Sequence, residues 1–285
     1  MFREVILHIG MSKCGSTAIQ KFLASREVTL AKKGICYPRV GRVDGAHFGL
    51  LDALVGGTSR VWWDSVRREA GDADVLILSC EGLWHQPTRV IREIKSLLSS
   101  CEVKVVLYLR HPGDYLASSY RQQIKRMRCR DSKMTFLGRI GSRIDYPKVI
   151  CNWRRAFRLD VSCYELAKKS LVCDFLNRAG VTGLEFPRGD FRQNETPNDG
   201  VTRLIFLANL MLPKRLLPTA RAMINWSERS LRFLPAIDNE VFYDFAWEQA
   251  RLWDIQRVSE SLHVRDREVI TDFYARNRAV KDGSC

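Results

Sequence analysis

Four short apolar runs, each followed by a stretch with helical spacing, constrain the fold of this chain more than any other feature. "EVILHI" (4–9) precedes "TAIQKFLASR" (17–26). "DVLILS" (74–79) precedes a helix that begins near Pro87 and carries apolar residues at 90, 91, 94, 97 and 98. "KVVLYL" (104–109) precedes a helix with Pro112 in its first turn, where a missing N–H costs nothing. "LDVSCY" (159–164) precedes "SLVCDFLNRAG", which Gly180 stops. Buried runs alternating with helices are the signature of a parallel sheet with crossover helices, so the expected class is α/β. Beyond about residue 200 no further strand is legible, and 201–211, 214–232 and 239–262 read as helices. The expected organisation is one domain over 1–285, an α/β core to 198 followed by a mainly helical extension from 199 to 285.

Composition narrows the partners without choosing one. The formal charge of +14 raises the local concentration of anionic partners, whether nucleotide, nucleic acid, acidic polysaccharide or lipid surface. The nine cysteines form no C-x-x-C pair and have no partnering histidine spacing, which argues against a zinc site or a disulfide framework and for free thiols in a reducing compartment. "MFREVILHIG" does not read as a signal peptide, and no uncharged apolar stretch reaches the roughly 18 residues needed to span a bilayer. The expected location is cytoplasmic.

Directly after the first run stands "HIGMSKCGST" (8–17). Its glycines, Gly10 and Gly15, have the spacing of the triphosphate loop G-x-x-x-x-G-K-[ST], but Lys13 precedes the second glycine instead of following it. The turn enters a helix N-terminus, where unpaired N–H groups and the positive end of the helix dipole suit an anion. Lys13 adds a charge, and Ser16 and Thr17 add hydroxyls. The fold expectation sharpens accordingly to a P-loop-like three-layer sandwich, a central parallel sheet flanked by helices.

After the third run, Arg110 and Ser118 stand eight residues apart in "LRHPGDYLASSY". Ser118 lies about six residues into the helix opening at Pro112, within roughly 9 Å of its start at about 1.5 Å per residue. Arg110 can bend back over that gap to share one anion, for which the forked guanidinium is suited. A structural ion pair is the other reading of Arg110.

Together these motifs resemble the PAPS-dependent sulfotransferase family, whose cofactor is 3′-phosphoadenosine 5′-phosphosulfate (PAPS) and whose product is adenosine 3′,5′-bisphosphate. The family's K-x-G-[ST]-[ST] loop matches Lys13, Cys14, Gly15, Ser16 and Thr17, implying that these hold the 5′-phosphosulfate. Its R-x-x-x-x-x-x-x-S element matches Arg110 and Ser118, implying a 3′-phosphate site. The "VSCYELAKKSLVCDFLNRAGV" segment is similar to a third family segment and implies that Tyr164 lies near the adenine. The likeness covers about residues 4 to 182 and looks closer to the bacterial and carbohydrate-modifying branches. The tryptophan that follows the loop in members acting on small phenols is replaced by "AIQ", and "PRGDFRQNETPN" stands where a late R-K-G-x-x-G is expected. Arg188, Arg192 and Asn194 are the candidates there for touching the 3′-phosphate or closing over the cofactor.

Beyond the second run, "LILSCEGLWHQP" offers two candidates for a general base, Glu81 and His85, of which Glu81 is nearer the strand end. Arg121, Lys125, Arg126, Arg128, Arg130 and Lys133 form a basic run that reads either as a solvated face or as a steering surface for the cofactor or an anionic acceptor. The resulting expectation is a sulfotransferase acting on a hydroxyl or amine of a saccharide or other bulky metabolite, with no metal requirement, no nucleic-acid partner and no transmembrane segment. Two rivals stand beside it. A P-loop kinase or triphosphatase would want its lysine after Gly15 and a carboxylate on Mg²⁺, and a non-catalytic basic nucleotide- or nucleic-acid-binding protein would carry a nucleic-acid motif, which is absent from the sequence.

Overall fold

The structure is a computed structural model, and it describes residues 2–125, 130–184, 199–226 and 239–250. The chain opens with β1 (Glu4–Gly10), α1 (Ser16–Ser25), α2 (Glu27–Ala31), β2 (Ile35–Cys36), α3 (Phe48–Val55) and α4 (Ser59–Ala70). Then come β3 (Val75–Ser79), α5 (Thr88–Leu97), β4 (Glu102–Leu109), α6 (Pro112–Lys125) and α7 (Lys133–Ile140). The remainder is α8 (Tyr146–Arg154), β5 (Arg158–Cys163), α9 (Tyr164–Ala167), α10 (Leu171–Arg178), α11 (Asp199–Met211), α12 (Leu217–Trp226) and α13 (Glu240–Ala250).

These described residues form two compact units. The first holds residues 2–110 and 146–184, with a five-stranded sheet of order β2-β3-β1-β4-β5. Every pairing is parallel. Parallel crossovers are right-handed, so α1 and α2, which lead outward from β1 to β2, lie on one face. The helices α3, α4, α5 and α8, whose connections run the other way, lie on the opposite face. The packing agrees: α1 touches α2 and α10, while α4 touches α3 and α5, and α5 touches α8. A sheet covered on both faces needs continuous apolar strands. Val5, Ile6, Leu7, Ile9, Leu76, Ile77, Leu78, Val105, Val106 and Leu107 are all fully buried. This is the α/β sandwich read from the sequence.

The local signals also hold. Pro112 is the first residue of α6, and Gly180, at φ +70°, follows the end of α10. The two-residue edge strand β2 and the helices α3 and α4 have no counterpart in the sequence reading of residues 36–72.

The second unit holds 111–125, 130–145, 199–226 and 239–250. The sequence pattern puts 111–145 in the α/β core, but 111–125 and 130–145 group with the C-terminal helices. Tyr120 shows why: its ring centroid is 5.0 Å from that of Phe136 on α7 and 5.4 Å from that of Phe242 on α13. Asn209 on α11 donates to the carbonyl of Ile124 at 3.1 Å, and the Tyr243 hydroxyl bonds to Asp114. Among the described residues no helix is long and apolar enough to cross a membrane.

Candidate active site

In an open parallel sheet, ligands bind beyond the carboxyl ends of the strands, where the chain switches the direction of its crossovers. Here the connection leaving β1 runs toward β2 and that leaving β4 runs toward β5, so the switch point lies between β1 and β4. The segments at that point are Met11–Gly15 and Arg110.

The loop after β1 is held by its own backbone. The Met11 N–H donates to Tyr108 O at 2.9 Å, and the Ser16 hydroxyl donates to Met11 O at 3.2 Å. Gly10 has φ +108°, and a Cβ there would lie 3.0 Å from Glu81 Cα and 3.1 Å from Glu81 Cβ. Only glycine lets the ends of β1 and β3 come this close. Lys13 is a non-glycine residue at φ +70°, a conformation that costs free energy and persists only when its surroundings impose it. The surroundings are Arg110, whose Nη1 donates to the Lys13 carbonyl at 2.8 Å. Helix α1 then starts with no side-chain cap; the Ala18 N–H donates to Gly15 O at 2.9 Å, and the N–H groups of Ser16 and Thr17 have no intrahelical acceptor. Cys14 beneath it is buried, and burial pushes its thiol well above the usual range.

Arg110 is fixed from three sides. Its N–H contacts Met11 Sδ at 3.3 Å, its carbonyl accepts from the Tyr146 hydroxyl at 2.7 Å, and its guanidinium carbon stands 5.5 Å from the centre of the Tyr164 ring. Its Nε is buried with no hydrogen-bond partner among the described residues. A buried unsatisfied guanidinium N–H is costly, and a bound anion beside it would satisfy it. The residues present therefore fit a phosphate-bearing ligand.

Glu81, two residues past β3, is half-buried, and its Oε2 accepts from Gln20 Nε2 at 2.6 Å. Behind it, Ser79 Oγ lies 3.1 Å from Gln20 Nε2 and 2.8 Å from His8 Nδ1. The Ser79 N–H donates to His47 Nδ1 at 3.1 Å, so that nitrogen is unprotonated and His47 Nε2 carries the hydrogen it gives to Pro38 O at 2.8 Å. Burial lowers both histidines, His8 to about 3 and His47 to about 4, so both are neutral at pH 7.

Of the residues expected from the sequence, Lys13, Cys14, Gly15, Ser16, Thr17, Glu81, Arg110 and Tyr164 all belong to the first unit and surround the ends of β1, β3, β4 and β5. His85 packs on Trp84, with ring centroids 5.1 Å apart, in the turn after Glu81. Ser118 is a half-buried residue of α6 in the second unit. Arg192, with Arg188 and Asn194, lies outside the described residues, as do Arg126 and Arg128 of the basic run. Two members of that run are engaged within the second unit: Arg130 donates to Leu212 O at 3.2 Å, and the Lys133 ammonium sits 5.9 Å from the Phe242 ring centre. Gln20 is absent from the residues that the sequence singles out. Its only signal is a polar residue between the apolar positions Ile19, Phe22 and Leu23 of α1.

No protein-family profile matches this chain, and no curated protein matches it in sequence. Among solved structures, the crystal structure of a sulfotransferase from Alicyclobacillus acidocaldarius is similar with a TM-score of 0.44 and 16% identity, over 80% of this chain and all of that one. A likeness this distant carries no argument about function.

Proposed function

We propose that this chain is a PAPS-dependent sulfotransferase that moves a sulfuryl group to a hydroxyl or amine, with a saccharide or other bulky metabolite as acceptor. The observation that carries the reading is the convergence at the end of β1 of a helix N-terminus without a side-chain cap, a half-buried arginine whose buried Nε is an open donor, and a carboxylate. PAPS supplies the sulfuryl group in activated form.

Lys13 and the first N–H groups of α1 would hold the 5′ end of the nucleotide and stabilise charge on the departing phosphate oxygen, where preorganised donors help most. Arg110, braced on the Lys13 carbonyl, would bind the 3′-phosphate and tie that contact to the loop conformation. Tyr164, under the guanidinium, offers its ring to the adenine. Glu81 would take the acceptor's proton at the carboxylate oxygen that Gln20 leaves open, as the acceptor atom bonds to sulfur.

Ligand-induced stabilisation tests the reading. Adenosine 3′,5′-bisphosphate without Mg²⁺ is expected to raise the melting temperature, and Arg110→Ala to remove most of that shift. Equal stabilisation by ATP with Mg²⁺ would instead assign a kinase or triphosphatase. Glu81→Ala is expected to retain bisphosphate binding and lose transfer from labelled PAPS across a panel of saccharides, lipids and phenols. An active Glu81→Ala variant would remove Glu81 as the base.

A further inference from the structure

We infer that Gln20 is the positioning residue for the Glu81 carboxylate: its buried amide pins one carboxylate oxygen and leaves the other for the reacting hydroxyl. The inference rests on the sulfotransferase reading, in which Glu81 is the base. Gln20 lies on α1 one turn beyond Ser16, so the helix that presents its N-terminus to the loop also carries the residue that holds Glu81. Anion cradle and base are thereby referenced to one rigid element.

Gln20 is only 2% exposed. Its orientation is determined chemically, because a carboxylate only accepts and the atom facing Glu81 Oε2 at 2.6 Å must be the nitrogen. The second amide hydrogen is directed to Ser79 Oγ at 3.1 Å, and that oxygen lies 2.8 Å from His8 Nδ1. His8, Ser79 and Gln20 are all buried, so Glu81 is the half-exposed end of a network whose other members are immobilised in the sheet and α1. An arginine or lysine in this place would bring a formal counter-charge to the carboxylate. A neutral amide holds its position without one and leaves the second oxygen to accept the proton.

The test uses Gln20→Met, which keeps side-chain length and removes both donors. In its crystal structure the Glu81 carboxylate is expected to leave its wild-type place by about 1 Å or more, a misplacement of the size that costs roughly 100-fold in a reacting group. Turnover of PAPS to adenosine 3′,5′-bisphosphate with water as acceptor is expected to fall about 10- to 100-fold. The thermal shift given by the bisphosphate is expected to stay unchanged. The Gln20→Met, Glu81→Ala double variant is expected to be no slower than Glu81→Ala, since Gln20 acts only through Glu81. A Gln20→Met structure with the carboxylate in its wild-type place, or a double variant slower than Glu81→Ala, overturns the inference. Wild-type turnover by Glu81→Ala overturns instead the base reading beneath it, which the carboxylate's position in Gln20→Met does not report. If Gln20→Met does not fold, Gln20→Asn, which retracts the amide but keeps it buried, gives the same readouts.

Discussion

Replacing Gly10 by alanine tests whether the approach of β1 to β3 builds the site. The new Cβ would meet Glu81 Cα at 3.0 Å, Glu81 Cβ at 3.1 Å and Glu81 O at 3.2 Å, mostly backbone that cannot rotate away. Nor can that backbone retreat freely, because the neighbouring Cys80 N–H donates to His8 O at 2.9 Å. Alanine at φ +108° costs about 1–3 kcal/mol in backbone strain. Overpacking adds about 1–3 kcal/mol, so Gly10→Ala should lose about 2–6 kcal/mol. Gly57→Ala is the control, since Gly57 has φ +72° and nothing within 4 Å of its added Cβ. Its cost is the left-handed conformation alone, about 1–2 kcal/mol. Urea denaturation of the two variants, with the slopes compared to establish that only stability has changed, reads the difference. Transfer by Gly10→Ala should also fall, since Glu81 is the group pushed. A Gly10→Ala variant as stable as Gly57→Ala would refute the close approach.

Three further outcomes are expected. His8 and His47 ionise near 6.5 when unfolded but only at about 3 and about 4 when folded, so the unfolded state binds more protons and stability falls as pH drops from about 6.5 toward 4. Each contributes a slope approaching about 1.4 kcal/mol per pH unit, and His47→Gln should remove one proton's worth between pH 6.5 and 5 in urea titrations; an unchanged slope would refute this. Cys14, Cys80 and Cys163 are at most 2% exposed, and burial raises all three thiols, Cys80 to about 12; mass spectrometry after brief alkylation should find them unmodified while the half-exposed Cys101, Cys151 and Cys173 react. Arg178 bonds Asp160 at 2.6 Å and Asp174 at 2.8 Å, and Asp174 also accepts from the Tyr108 hydroxyl at 2.7 Å. Arg178→Met leaves the part-buried Asp174 without its cation and Asp160 with only Lys104, 3.7 Å away, and should destabilise by about 2–4 kcal/mol in thermal denaturation, whereas loss of under about 0.5 kcal/mol, the size of a surface substitution, would show the cluster to be solvated.

By itself the sequence determined the sandwich and the positions that frame the candidate site. Strands buried on both faces must be written as continuous apolar runs, so β1, β3, β4 and β5 were legible, and with them the loop at Lys13, the arginine at the end of β4 and the carboxylate after β3. These are local patterns, and local patterns survive in one dimension. The tertiary structure alone decided the rest, because it depends on contacts between residues far apart in the chain. The edge strand Ile35–Cys36 is too short to show a period and exists because β3 offers it a partner. The left-handed turn at Lys13 is held by an arginine 97 residues away, and residues 111–125 and 130–145 group with the helices from 199 on because Tyr120 finds Phe242. Gln20, an unremarkable amide on a helix, acquires its place only because β3 delivers Glu81 to it across 61 residues of chain.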